Sequence, residues 1–335
     1  MAEATTSVAE IDPRLAALGM TSPVALAPMA GITDRPFRDL VRGFGAGLVV
    51  SEMVASREMV QGKHSVRVRA EIGTGVAGTA VQIAGREARW MAEAARMLEA
   101  RGARIVDINM GCPAKKVTGG LSGSALLKDH DHAVRLIDAV VGAVSVPVTL
   151  KTRLGWDEAT RDTAALAARA EASGVAMLAI HGRTRCAFYR GTADWAAIRP
   201  IVEAVSIPVL ANGDIASSAE ARAALRLSGA AGVMVGRGVR GAPWLPAAIA
   251  ADLGGGRPVP IPGGLELGAT IARHYDAMLR YYGLLGARVA RKHLGWYMDR
   301  LGTPSALRRA VLTAEPAEVP SLLPAVAEMQ GMLAA

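Results

Sequence analysis

Eight short apolar runs recur along the chain at intervals of 24 to 41 residues: VALAPMAG from Val24, LVVSEM from Leu48, TAVQIAG from Thr79, IVDINMG from Ile105, VPVTLKTRLG from Val146, AMLAIHGRT from Ala176, IPVLANGDI from Ile207 and GVMVGRG from Gly232. Each is brief and rich in Val, Ile and Leu, the pattern of a strand buried on both faces. The intervening segments EARWMAEAARMLEARG (87–102) and AEARAALRLSGA (219–230) place apolar residues three to four apart and run into glycine, which predicts helices. Strands alternating with helices predict a parallel sheet. Eight such units predict an α/β fold, a (β/α)8 TIM barrel over 23–250, in preference to an open doubly wound sheet. The rhythm then changes: DLGGGRPVPIPGG at 252–264 has no periodicity and 265–333 reads as helices only. The expected organisation is an N-terminal extension (1–22), the barrel, a linker (251–264) and a smaller all-helical C-terminal domain (265–335).

Barrel chemistry gathers where the strands end. Here the residues that follow the apolar runs are Gln82, Asn109 to Cys112, Lys151 with Arg153, His181 with Arg183, Asn212 to Asp214, and Gly236 with Arg237. Two stretches match G-x-G-x-x-G, GTGVAG at 73–78 and GRGVRG at 236–241. Neither is a dinucleotide fingerprint, because the first precedes a strand and the second has no strand after it. ANGDI and GRGVRG instead form the last two barrel loops, where bare glycines and an arginine suit a phosphate. Lys151 would reach the barrel axis either as a Schiff-base amine or as a fixed cation beside a cofactor, with Arg153 on the same face lowering its pKa. His181 reads as a proton donor, a phosphate contact or a satisfied barrel histidine. Cys112, between an apolar run and a proline with Lys115 and Lys116 behind it, reads as nucleophile, redox thiol, acid or small buried residue.

Composition narrows this further. The only cysteines, Cys112 and Cys186, form no C-x-x-C pair, and the six histidines show no ligand spacing, so neither a disulfide framework nor a metal centre is expected. No apolar run is long enough for a membrane helix, and Glu3, Glu10 and Asp12 stand where a secretory leader would be basic then apolar, so the expected location is cytoplasmic. A net charge of +8, shared by both parts of the chain, fits a polyanionic partner. Arg288, Arg291 and Lys292 would share one helix face, and Arg57, Lys63, Arg67 and Arg69 cluster after the second strand.

Taken together, APMAGITDRPFR, DINMGCPAKK, LKTRLGW, IHGRTR, ANGDI and VMVGRG resemble the tRNA-dihydrouridine synthases, and RKHLGWY (291–297) is similar to their DusB-like branch. The resemblance runs from Pro23 to Leu312. It implies an FMN-binding barrel, a helical tRNA-binding domain, and reduction of the uridine C5–C6 bond with NADPH, or NADH, as the hydride source. On matching positions it implies FMN contacts from Pro28, Met29, Ala30, Gln82, Lys151, Asn212, Gly213, Asp214, Gly236 and Arg237. Asn109 and His181 would line the flavin and uridine pocket, Arg183 and Tyr189 belong to one substrate-side loop, and Arg288, Arg291 and Lys292 would meet tRNA. Cys112 falls on the family's proton donor, and Lys151 on a cation beside the flavin. Two other readings stand beside this one: a small-molecule FMN oxidoreductase of the dihydropyrimidine type, and a non-catalytic RNA-binding barrel.

Overall fold

The described residues of the computed structural model are 11–63, 70, 71, 79–254 and 259–333, the last four by their backbone alone. The GTGVAG stretch, Arg67, Arg69, residues 1–10 and the centre of the linker lie outside them. The eight apolar runs form β1 (Val24–Leu26), β2 (Leu48–Val50), β3 (Thr79–Ala84), β4 (Ile105–Asn109), β5 (Val148–Arg153), β6 (Met177–His181), β7 (Val209–Asn212) and β8 (Gly232–Val235). All pairings are parallel. The ring closes where Val24 pairs with Val233 and where Val49 pairs with Thr79, and Val54–Ala55 adds two residues alongside β3. The result is the closed TIM barrel that the strand count predicted.

Around and beneath it lie α1 (Pro13–Ala17), α2 (Arg35–Phe44), α3 (Ser56–Val60), α4 (Ala88–Ala100), α5 (Lys115–Thr118), α6 (His130–Val141), α7 (Thr163–Ala172), α8 (Arg199–Glu203), α9 (Ser218–Ser228) and α10 (Leu245–Asp252). Their ends follow local chemistry. Ser217 Oγ accepts from the Glu220 amide while Glu220 accepts from the Ala216 amide, a reciprocal cap that starts α9, and left-handed Gly229 ends it.

Side-chain alternation sorts the barrel into an outer and an inner layer. Val24, Leu26, Val49, Val81, Ile83, Val106, Ile108, Leu150, Leu178 and Ile180 face outward into the main core beneath the helices. The inward positions are apolar low in the barrel, with Ala25, Leu48, Ala80, Ile105, Met177 and Leu210 in contact. Leu15 of α1 is fully buried among them, so part of the segment set apart as an extension is the barrel's floor. Asp12 caps that helix by accepting from the Arg14 amide.

The C-terminal helices α11 (Gly264–Tyr282), α12 (Gly286–Arg300), α13 (Ser305–Thr313) and α14 (Val319–Leu333) continue the outer core of the barrel. Phe37 of α2 lies against the rings of His274 and His293, with centroids 5.6 and 5.3 Å away. Asp34, which caps α2 through the Phe37 amide, also accepts from Tyr282 Oη at 2.9 Å. Gly241 lets the loop after β8 approach α12 closely: its φ is +70°, and a Cβ there would stand 2.3 Å from the Trp296 carbonyl oxygen. Among the described residues, no helix is long and apolar enough to cross a membrane.

Candidate active site

Two to four residues further up β3, β4, β6 and β7, and along β5, the inward positions turn polar. Gln82, Asp107, Asn109, Thr149, Lys151, Arg153, His181 and Asn212 continue the same alternation that buries Ala80, Ile105, Met177 and Leu210 below them. Parallel register sets Asn109 beside Lys151, Arg153 beside His181 and His181 beside Asn212. Of these, Gln82, Asn109, Lys151, Arg153, His181 and Asn212 line a cleft of about 670 Å3 that opens at the strand ends.

One wall of the cleft is a chain of buried amides. Thr149 Oγ1 and Gln82 Nε2 each donate to the Asp107 carboxylate at 2.6 Å. Asn109 Nδ2 donates to Gln82 Oε1 at 2.8 Å, and Asn109 Oδ1 accepts from the amides of Gly111 and Cys112 at 3.2 and 2.9 Å. Burial pushes the Asp107 carboxyl up, opposed by these two donors and by the charge of Lys151. On the other side of the same turn, Arg153 Nε donates to the Gly111 carbonyl and Ser124 Oγ to the Cys112 carbonyl, at 2.7 and 2.9 Å. Cys112 lines the cleft, while Lys115 and Lys116 are exposed on α5. Gly123, at φ +59°, closes that loop back on Cys112.

The adjoining wall is cationic. Lys151 Nζ donates to Asn212 Oδ1 at 2.8 Å, and Asn212 Nδ2 is itself fixed by donating to the Met234 carbonyl at 2.7 Å. Burial first, then the neighbouring Arg153, lower the Lys151 pKa to about 8. At neutral pH Lys151 remains a cation, which fits the fixed-charge alternative. Burial, reinforced by Arg153, Lys151, Arg183 and Arg237, holds His181 well below its ordinary value, so its imidazole is neutral. Its Nε2 lies 3.3 Å from Arg183 Nη1. With that nitrogen accepting, the ring proton sits on Nδ1.

Arg183 is 4% exposed, and all five of its N–H directions are occupied. They meet His181, the Asp214 carboxylate, and the carbonyls of Arg190 and Gly191. Every N–H of Arg183 is thus engaged within the protein. Its place is explained by the loop it holds: Asp214 also accepts from the Ala193 amide at 2.8 Å, and Trp195 Nε1 donates to the Gly213 carbonyl at 2.9 Å. Burial raises the Asp214 pKa, but Arg183, the Ala193 amide and Arg237 outweigh it and hold the carboxyl low. The Asp214 side chain thus clamps the loop.

Tyr189 is half-exposed on the loop that Arg183 holds, with the Arg237 guanidinium 4.8 Å above its ring. At Gly236 a Cβ would point into open space, with Asn212 Nδ2 at 4.0 Å as its nearest neighbour. Gly213, at φ +117°, has no such room: a Cβ there would collide with Ala193 and His181. Bare backbone at Gly236, the cation of Arg237 and the buried ammonium of Lys151 make a cradle fit for a flat, phosphorylated, electron-rich group. Pro28, Met29 and Ala30 line the same cleft from the β1 side. The residue types and the space suit FMN.

The expected tRNA-facing residues are more scattered. Arg288 and Arg291 are exposed on α12, and Arg57 and Lys63 are exposed after β2. Lys292 is half-buried, its Nζ 3.4 Å from where a Gly31 Cβ would lie, at the loop after β1. Its charge helps lower the Asp34 pKa, although burial raises that carboxyl overall. Asp107 and Thr149 support the site from beneath without having been assigned roles in it from sequence. Among the described residues there is no cluster of His, Cys, Asp and Glu that would hold a metal ion.

Comparison with known proteins meets this geometry from a separate direction. A family model described as "Dihydrouridine synthase (Dus)" matches residues 25–326. A probable tRNA-dihydrouridine synthase of Rhodobacter capsulatus is 59% identical over 313 residues, covering 92% of this chain and 96% of that one. The tRNA-dihydrouridine synthase B of Pseudomonas syringae pv. tomato is 48% identical over 277 residues and 82% of each chain. Among solved structures, histamine dehydrogenase from Rhizobium sp. 4-9 shares the fold, with a TM-score of 0.54 at 13% identity, over 76% of this chain and 49% of that protein. With its motifs, cleft and nearly full-length relatives in agreement, the chain belongs to the dihydrouridine synthase family of oxidoreductases.

Proposed function

We propose that the protein is a tRNA-dihydrouridine synthase that binds FMN and, with NADPH as reductant, reduces the C5–C6 double bond of particular tRNA uridines to 5,6-dihydrouridine. One observation carries the reading: a thiol, Cys112, and a buried cation, Lys151, line the same cleft, beside a glycine whose backbone is open to it. Pro28, Met29, Ala30, Gln82, Lys151, Asn212, Gly213, Gly236 and Arg237 would hold the flavin. Bound there, a reduced flavin would be the source of the hydride that adds to C6 of the uracil ring.

The chain's own residues supply the rest. Hydride addition at C6 leaves enolate-like charge over C5 and O4, and the Cys112 thiol delivers the proton to C5. The thiolate left behind recovers a proton from solvent. Lys151, held by Asn212, stabilises negative charge on the cofactor side. Neutral His181 serves as a hydrogen-bond donor through Nδ1 and is no acid at neutral pH. Asn109 spends its carbonyl and one N–H on the protein, leaving one N–H for the base. A tRNA base reaches such a cleft only after leaving its stack, at a cost of about a few kcal/mol. Exposed Arg237, Arg240, Arg288 and Arg291 provide cations for the backbone that remains outside.

Purified Cys112→Ala protein tests the reading. Flavin reduction by NADPH should persist while uridine reduction on tRNA falls by about 10²- to 10⁴-fold. Retained uridine reduction would remove Cys112 as the acid. Turnover of free uracil or uridine with no activity on tRNA would favour the small-molecule oxidoreductase instead.

A further inference from the structure

We infer that Asp107 is a positioning residue for the turn that carries Cys112: its carboxylate sets the direction of a chain of side-chain amides ending on the Cys112 backbone. The inference rests on the proton-donor role of Cys112 proposed above. Both oxygens of the Asp107 carboxyl accept, one from Thr149 Oγ1 and one from Gln82 Nε2, so the nitrogen of the Gln82 amide faces it. That turns Gln82 Oε1 toward Asn109, so the Asn109 nitrogen must face Gln82. Asn109 is then obliged to present its oxygen to the amides of Gly111 and Cys112.

Each amide end has nearly the same shape and the opposite hydrogen-bonding sense. With no fixed acceptor at the root of the chain, only the Gly111 and Cys112 N–H groups oppose a joint flip of Gln82 and Asn109, and in the flipped state Asn109 would set its NH2 against both of them. Asp107, Gln82, Asn109 and Thr149 are 3%, 1%, 7% and 1% exposed, so little solvent reaches these groups to replace a mismatched bond. The carbonyls of Gly111 and Cys112 have separate anchors in Arg153 and Ser124. Loss of the chain should therefore displace the turn without unfolding it.

The test uses flavin-loaded protein in a Cys186→Ser background, which leaves Cys112 as the single thiol. Three quantities are followed: flavin reduction by NADPH, uridine reduction on tRNA, and the rate of Cys112 alkylation by iodoacetamide across pH. Asp107→Asn removes the obligate acceptor. It should retain flavin reduction, lose roughly ten- to a hundredfold in uridine reduction, and shift the alkylation profile. Gln82→Glu alone sets two carboxylates against each other and should lose activity as well.

The double variant Asp107→Asn with Gln82→Glu restores one acceptor between two amide donors and keeps the Asn109 direction. Its alkylation profile should return toward that of the parent, and its uridine reduction should exceed the product of the two single losses. Losses that multiply to within about twofold, or an unchanged alkylation profile in Asp107→Asn, would overturn the inference. Alkylation tests the chain even if Cys112→Ala shows that another group supplies the proton, so the two failures are distinguishable.

Discussion

The floor and the mouth of this barrel are built on the same strands by the same alternation, yet they serve opposite ends. At the floor, Ala25, Leu48, Ala80, Ile105, Met177 and Leu210 meet Leu15 in an apolar plug. Two to four residues further along, the inward positions are Gln82, Asp107, Asn109, Lys151, His181 and Asn212. Burying apolar surface stabilises the fold at roughly 25 cal/mol per Å2, whereas burying Lys151 and Arg153 side by side opposes it. Burial lowers the Arg153 pKa to about 10 and that of Lys151 to about 8. The comparison separates residues kept for stability from residues kept for chemistry.

The largest expected effect is at the floor. Leu15→Ala leaves a void in a fully buried contact and should cost about 2–5 kcal/mol of unfolding free energy, measured by urea titration. The surviving folded protein should bind FMN and reduce uridine at the parent rate per bound flavin. A loss of turnover without a loss of stability would break the division between floor and mouth.

A smaller effect of opposite sign is expected one layer up. Lys151→Met removes a charge that the cofactor-free protein must hold beside Arg153, so its stability without flavin should rise by about 1 kcal/mol. Flavin should no longer copurify. If both stability and flavin binding fell, Lys151 would be part of the scaffold through its bond to Asn212.

How much of this division was legible in the sequence differs from element to element. The strands and the residues at their ends were readable, because a barrel strand buried on both sides must be a brief apolar run followed abruptly by polar groups. Leu15 was not, since a helix of five residues has too little periodicity to distinguish it from a loose extension. Asp107 was hidden inside the apolar run IVDIN, and its partners Gln82 and Thr149 lie 25 and 42 positions away. The packing of Arg183 was hidden for a related reason, since the carbonyls, the imidazole and the Asp214 carboxylate that it meets are brought to it only by the fold. His274 and His293 sit apart in sequence, and only helix packing brings their rings to 4.9 Å beneath Phe37.

The finest test of the mouth uses pH. Lys151 in the cofactor-free protein loses its proton through a pKa of about 8, depressed first by burial and then by Arg153. An anionic, electron-rich flavin favours the ammonium form, so the Lys151 pKa in the complex must lie above that in the free protein. Below pH 8 both states carry the proton and the affinity is flat. Above pH 8 the free protein has lost a proton that the complex still holds, so the dissociation constant for FMN should climb, by at most about tenfold per pH unit. Flavin fluorescence titrations between pH 7.5 and 9.5 read this directly. Lys151→Arg keeps the charge throughout that range and should flatten the curve even if it binds more weakly. An equal slope in the arginine variant would move the titrating group elsewhere. Loss of the slope with retained binding would tie the affinity at the mouth to the same charge that costs the barrel stability.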